Sequence, residues 1–206
     1  MSEFLHSIAV AFIAMFPMIN PIGHAPMFYG MTSDDSAEHR RAMAAKIGLY
    51  VFLILTASLF CGNLLLEFFG VTIDDLRIAG GLLVAHSGWG MLNNQSRVTP
   101  KEQAAGEVKE DISLTPMAMP ILAGPGAMSL AIGLAAYGRT VPHGCGYVIG
   151  FAAIALLTWL SFRWSDAMVR VFSVNAVGAL NRVLGLFILA IGVNMIVRGV
   201  QDVWPH

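Results

Sequence analysis

Charge is what this chain has least of. Charged residues make up 12% of its 206 positions, where a soluble domain carries about a quarter. The formal net charge is −1, so there is no basic surplus to hold a nucleic acid. Cysteine is nearly absent. Cys61 and Cys145 both sit in apolar runs without metal-ligand spacing, which argues against a disulfide scaffold or a metal site. The sequence has no HExxH, no nucleophile elbow, no phosphate loop and no cluster of metal ligands, so neither an enzyme nor a cofactor is expected. The first residues, MSEFLHSIAVAFIAMF, lack the basic start and small-residue cleavage site of a signal peptide, and read as a retained first span. What is abundant is apolar: 56% hydrophobic residues and a mean hydropathy of +0.68. The class these values predict is an all-α, multi-pass membrane protein in a lipid bilayer, with no separate soluble domain.

Membrane spans need about 20 mostly apolar residues. Six segments meet or approach that length: 4–29, 42–68, 78–92, 114–137, 141–162 and 177–197. The one long polar stretch, NNQSRVTPKEQAAGEVKEDIS from Asn93 to Ser113, reads as a linker between the third and fourth. Basic residues set the orientation. With the N-terminus outside, only Arg77, Arg139 and Arg198 of the twelve Lys and Arg fall on the outer side. Both termini are then expected outside, which in a bacterial inner membrane means periplasmic.

The two halves echo one another. LRIAGGLLVAHSGWGML from Leu76 aligns with NRVLGLFILAIGVNMI from Asn181, setting Arg77 on Arg182, Gly80 on Gly185 and Ala85 on Ala190. The preceding breaks align too, Pro21 on Pro125 and Asn20 on Gly124. The expected organisation is one transmembrane domain made of repeat one (1–93), a linker (94–111) and repeat two (112–206). A three-span unit repeated in tandem must insert upside down the second time, so the repeats are inverted, as in many secondary transporters.

Both first spans of these units are broken. Pro17, Pro21, Gly23 and Pro26 interrupt one; Pro116, Pro120, Gly124, Pro125 and Gly126 interrupt the other. Proline removes a donor and clashes with the preceding turn, and lipid satisfies no stray backbone group. Such breaks belong inside the protein or beside a polar cavity, and two at matched positions are expected to meet at the repeat interface. Freed N–H groups would suit a carboxylate and freed carbonyls an ammonium, which together suit a zwitterionic amino acid. The short side chains near Gly124, Gly126 and Ala127 favour a small one. Asn20 is expected to cap the second half-helix, compatibly with substrate contact. Arg77 and Arg182 open the third and sixth spans and are read as snorkelling to an interface, with gating as the alternative. His86 reads as a packing residue before a proton carrier. Thr115, Ser129, Asn181 and Asn194 read as helix-joining polar groups before cavity-lining ones. Asp34, Asp35, Asp74 and Asp75 are expected in loops, solvated. No carboxylate lies firmly inside a span.

NPIG at Asn20–Gly23, FGVTIDDLRIAGGLLVA at Phe69–Ala85 and MPILAGPGAMS at Met119–Ser129 resemble the MarC family, which includes the SnatA neutral amino acid transporters. The resemblance spans essentially the whole chain. It implies an inner-membrane protein of six helices in two inverted three-helix repeats, with discontinuous first and fourth helices. It implies a secondary transporter of small neutral amino acids such as glycine and alanine, with Asn20, Pro21, Gly23, Gly124, Pro125 and Gly126 as substrate-binding positions. A coupling ion, H+ or Na+, and a homo-oligomer are compatible with it. One departure is His24, directly after the first break, read as either pH-sensitive or next to a wet cavity. Rival readings are a channel or exporter of other small solutes, a drug-efflux protein and a non-transporting membrane protein.

Overall fold

The computed structural model describes residues 2–93, 111–137, 141–171 and 174–203. The greater part of the predicted linker lies outside those residues. The described chain is helical: α1 (Ser2–Ile19), α2 (Pro21–Met31), α3 (Ala37–Phe69) and α4 (Ile73–Leu92) precede an irregular segment at Ser113–Leu122. Then follow α5 (Pro125–Tyr137), α6 (Val141–Arg163), α7 (Ser165–Val171) and α8 (Val174–Val203). Helices α3, α6 and α8 are long and apolar enough to cross a membrane. Two bent pairs qualify when each is taken as one span: α1 with α2, bent by 40°, and Ser113–Leu122 with α5, bent by 64°.

The helix ends follow local chemistry. Ser36 caps α3 by accepting the His39 N–H, and Gly70 ends it at φ 66°, a left-handed geometry suited to glycine. Thr72 and Asp75 form a capping box that starts α4 at Ile73, earlier than the expected span. Asp74 and Asp75 are therefore in the first turn of α4 rather than in a loop. With these acids and Arg77 at its start, and His86 and Ser87 further on, α4 is not among the helices apolar enough to count as a span.

Packing relies on small residues. In α4, Gly81 and Gly88 recur at seven residues; in α8, so do Gly185, Gly192 and Gly199. A Cβ on Gly81 would strike the Gly192 carbonyl, one on Gly88 the Gly185 carbonyl, and one on Gly199 the Asp74 carbonyl. These pairings run antiparallel and bring the two backbones together, the contact membrane helices use where lipid removes the hydrophobic drive. Helix α1 lies parallel to α6, with Gly146 on Ser7 and Gly150 on Ala11. Helix α3 lies parallel to the Ser113 segment and α5: the Ser113 hydroxyl reaches the Met43 carbonyl at 3.4 Å, and Gly62 packs on Ile132. Phe28 of α2 stacks on Phe162 of α6 with ring centroids 4.8 Å apart, both fully buried.

Outward-facing side chains include Phe60, Leu64, Phe68, Leu82, Leu186 and Phe187. Apolar exposure on this scale is that of a surface meeting lipid.

Candidate functional site

The first break centres on Asn20, which adopts a left-handed backbone (φ 45°, ψ 58°) between α1 and α2. Its Oδ1 accepts the Gly23 N–H at 3.0 Å, the expected cap. Its Nδ2 donates to Asn181 Oδ1 on α8 at 2.8 Å. Pro21 sits at the first position of α2, where its missing N–H costs nothing. Because the Gly23 N–H turns to the Asn20 side chain, the Ile19 carbonyl loses its ordinary helical donor. His24 replaces it: Nδ1 lies 3.0 Å from the Ile19 carbonyl and 3.1 Å from the Asn20 carbonyl. Carbonyls only accept, so Nδ1 carries the proton. Hence His24, at 9% exposure, completes the backbone hydrogen bonding of the break. Gly23 is required by proximity, since a Cβ there would overlap the Asn20 and Asn181 amides. Pro17 and Pro26 lie within α1 and α2, which continue through them.

The second break is built differently. Thr115 (φ −128°, ψ 120°) and Met119 (φ −134°, ψ 126°) are extended, as residues before proline tend to be. The chain around them closes wide turns, Met117 N–H to the Ile112 carbonyl and Ala123 N–H to the Ala118 carbonyl. Pro125 then starts α5. Gly124 approaches the Pro120 carbonyl so closely that a Cβ would overlap it.

This break opens onto a cavity of about 240 Å³. Its wall comprises Pro120–Leu122 and Gly124–Gly126, faced by Met18 of α1 and by Leu83, His86, Ser87 and Gly90 of α4. A Cβ on Gly126 would come within 2.6 Å of Met18 Cε and 3.2 Å of Val84 Cγ2.

The six predicted positions therefore divide. Gly124, Pro125 and Gly126 line the cavity, whereas Asn20, Pro21 and Gly23 do not. The first break reaches this space through Met18, two residues before Asn20. Met18, Leu83, Ser87, Gly90, Ile121 and Leu122 are lining residues that the sequence reading did not single out, and His86, read there as packing before proton carrier, lines the cavity too. Helical spacing held a signal, because Leu83, His86, Ser87 and Gly90 share one face of α4.

Asn181 joins helices, as read from the sequence. Ser129, 7% exposed, packs on Gly80, while Thr115 is exposed. Arg77 and Arg182 are not equivalent. Arg77 is held by Asp74 at 2.7 Å and by Asp202 of α8 at 2.6 Å, its side chain 14% exposed; Arg182 is exposed. Arg77 borders a second cavity of about 670 Å³, at the end of the bundle where α1 begins, with His6, His143, Asn194 and Arg198. Among the described residues no group of His, Cys, Asp and Glu could hold a metal ion.

Apolar helices with an apolar exterior, two of them broken around buried polar backbone, define an integral membrane protein. The family model for the MarC family integral membrane proteins matches residues 5–204, and the chain belongs to that family. It is 34% identical over 197 residues to the UPF0056 membrane protein YhcE of Escherichia coli K12, covering 94% of this chain and 92% of that protein. It is 33% identical over 198 residues to the UPF0056 membrane protein YvbG of Bacillus subtilis, covering 94% of each. The UPF0056 inner membrane protein MarC of Salmonella typhimurium is 30% identical over 219 residues, covering 98% of each. No solved structure matches the chain.

Proposed function

We propose that the protein is a secondary transporter of small neutral amino acids, working by alternating access between two inverted three-helix repeats. The six spans are α1 with α2, α3, α4, Ser113–Leu122 with α5, α6, and α8. The pairings support this. A two-fold axis in the membrane plane exchanges the pair α1–α6 with the pair formed by Ser113–Leu122 and α3, exchanges α2–α6 with α5–α3, and maps the antiparallel pair α4–α8 onto itself. Each of those relations matches contacts of named residues. Inverted repeats with broken helices at their interface are the usual frame of a secondary transporter.

The cavity beside Gly124–Gly126 carries the functional reading. Its volume, about 240 Å³, is below the ~300–1,000 Å³ of sites for drug-sized ligands, which favours a small solute over a drug. Gly124, Pro125 and Gly126 form the substrate wall, the glycines leaving room for the ligand and exposing backbone to its charged ends. Asn20, Pro21 and Gly23 hold the end of α1, and with it Met18, against that wall. The location we propose is a bacterial inner membrane with periplasmic termini. The names of relatives and the basic-residue asymmetry support that location.

Counterflow tests the reading. Proteoliposomes loaded with unlabelled glycine or alanine should transiently accumulate the labelled amino acid, and empty liposomes should not. Linear, non-saturating flux would indicate a channel. No exchange from folded, inserted protein would remove the amino acid assignment.

A further inference from the structure

Among the described residues the carboxylates of the spans, such as Glu67, Asp74, Asp75 and Asp202, lie near helix ends, but the cavity contains one titratable side chain. His86 is exposed on α4 and lines the same space as Gly124, Pro125 and Gly126, with Ser87 beside it. We propose that His86 is the cavity's partner for the substrate carboxylate, and that through it substrate and proton bind together. This proposal rests on the transport reading above.

Among the described residues His86 is the one titratable side chain on the cavity wall; His24 of α2 turns its Nδ1 to the Ile19 and Asn20 carbonyls. The elements that wall the cavity beside α4 are α1, Ser113–Leu122 and α5, and α8 packs along α4. Ser113–Leu122 and α5 carry no charged residue. Helix α1 contributes Met18; its titratable residues, Glu3 and His6, lie at the opposite end. Helix α8 places Gly185 and Leu189 against Gly88, and its nearest charged residue along the helix is the exposed Arg182. On α4 itself, Arg77 is nine residues away, about 13 Å along the axis, and is held by Asp74 and Asp202.

The chemistry follows from charge. A neutral imidazole offers a carboxylate one hydrogen bond, whereas an imidazolium offers a charge-assisted one. A carboxylate in the cavity therefore favours the protonated ring, and the protonated ring favours the carboxylate. Linkage makes the two effects equal. Imidazole is the side chain whose ordinary titration range, near pH 6.5, suits such coupling under physiological conditions. The substrate's ammonium then faces the carbonyls of the second break, and Ser87 can accept from it or donate to the carboxylate.

The test uses the full chain in proteoliposomes and glycine as the probe, with His86→Gln, which keeps a hydrogen-bonding side chain of similar length but cannot take the proton. In wild type, an inward acid gradient should drive glycine accumulation. Apparent glycine affinity should fall as pH rises from 6 to 8, by at most about tenfold per pH unit. In His86→Gln, counterflow should need a higher glycine concentration, its affinity should be independent of pH from 6 to 8, and gradient-driven accumulation should be lost. A second readout is proton uptake when glycine is added to detergent-solubilised protein in weak buffer, present in wild type and absent in the variant. Accumulation by His86→Gln equal to wild type would overturn the proposal, as would pH-independent wild-type affinity. Wild-type protein that shows no counterflow at all would instead sink the transport reading, and this proposal with it.

Discussion

The two breaks occupy matched places in the sequence and solve the same problem in opposite ways. At the first, a single residue in left-handed geometry interrupts the helix, and side chains satisfy what it frees. Asn20 caps Gly23, His24 caps Ile19, and the remaining amide group of Asn20 ties the break to Asn181. At the second, about ten residues are irregular, Gly124 stands where Asn20 does, and the backbone faces a cavity. One break is closed by polar side chains and anchored; the other is bare and accessible. A buried polar group must find a partner or a wet space, and the chain uses each option once. In the proposed transporter, this assigns the anchor to the first repeat and the substrate wall to the second.

The largest effect should come from filling the bare break. Gly126→Leu places a side chain between Met18 and Val84 and into the cavity. Glycine exchange should fall to the level of empty liposomes while the purified protein stays monodisperse. Gly126→Ala should be milder, because the nearest atom, Met18 Cε, ends a flexible chain.

Changes at the anchored break should register first in stability. Asn20→Ala removes a cap, worth about 0.5–2 kcal/mol, and strips Asn181 of its partner. Gly23→Ala should cost at least as much, since its Cβ lands on both amides. Asn181→Ala leaves the cap intact and should cost less, about 0.6–2 kcal/mol for an interhelical hydrogen bond in a membrane protein. Equilibrium unfolding in mixed micelles checks the order. A double-mutant cycle of Asn20→Ala and Asn181→Ala should show coupling; strict additivity would mean that the bridge contributes nothing.

The smallest effect lies where the second break begins. Burial pulls the Asp111 carboxyl upward, but hydrogen bonds from the Lys46 ammonium and from Ser113 outweigh it and hold it at about 2. An unfolded Asp titrates near 3.9. The stabilisation is therefore present above about pH 4 and lost as pH falls through about 2. The side chains of Lys46 and Asp111 are 50% and 41% exposed, so solvent screens most of the attraction. Asp111→Asn should lower the thermal midpoint slightly at pH 6, with the effect shrinking as pH falls towards 2.

Much of this contrast was legible in the sequence. Pro21 and Pro125 both begin helices, as the aligned breaks implied, and Asn20 caps as its residue type suggests. Gly80 and Gly81 pack helices closely, as read. Local rules could not separate Pro17 and Pro26, which α1 and α2 absorb, from Pro116 and Pro120, around which the chain unwinds. Both pairs remove donors, and tertiary packing decides what replaces them. Contacts between distant residues were equally hidden. Asn20 and Asn181 are 161 positions apart, and Arg77 is held by Asp202, 125 positions away. The role of His86 depended on which face of α4 meets the second break, which periodicity alone leaves open.

The most direct measurement of the central claim is substrate protection at the second break. Ser87→Cys is a near-isosteric change on the cavity wall, made with Cys61 and Cys145 replaced by serine. Its alkylation by a small maleimide would be followed with increasing glycine. The account predicts saturable slowing, half-complete at the glycine concentration that half-saturates exchange. An alkylation rate unaffected by saturating glycine, in protein that exchanges glycine, would place the substrate elsewhere and contradict the account.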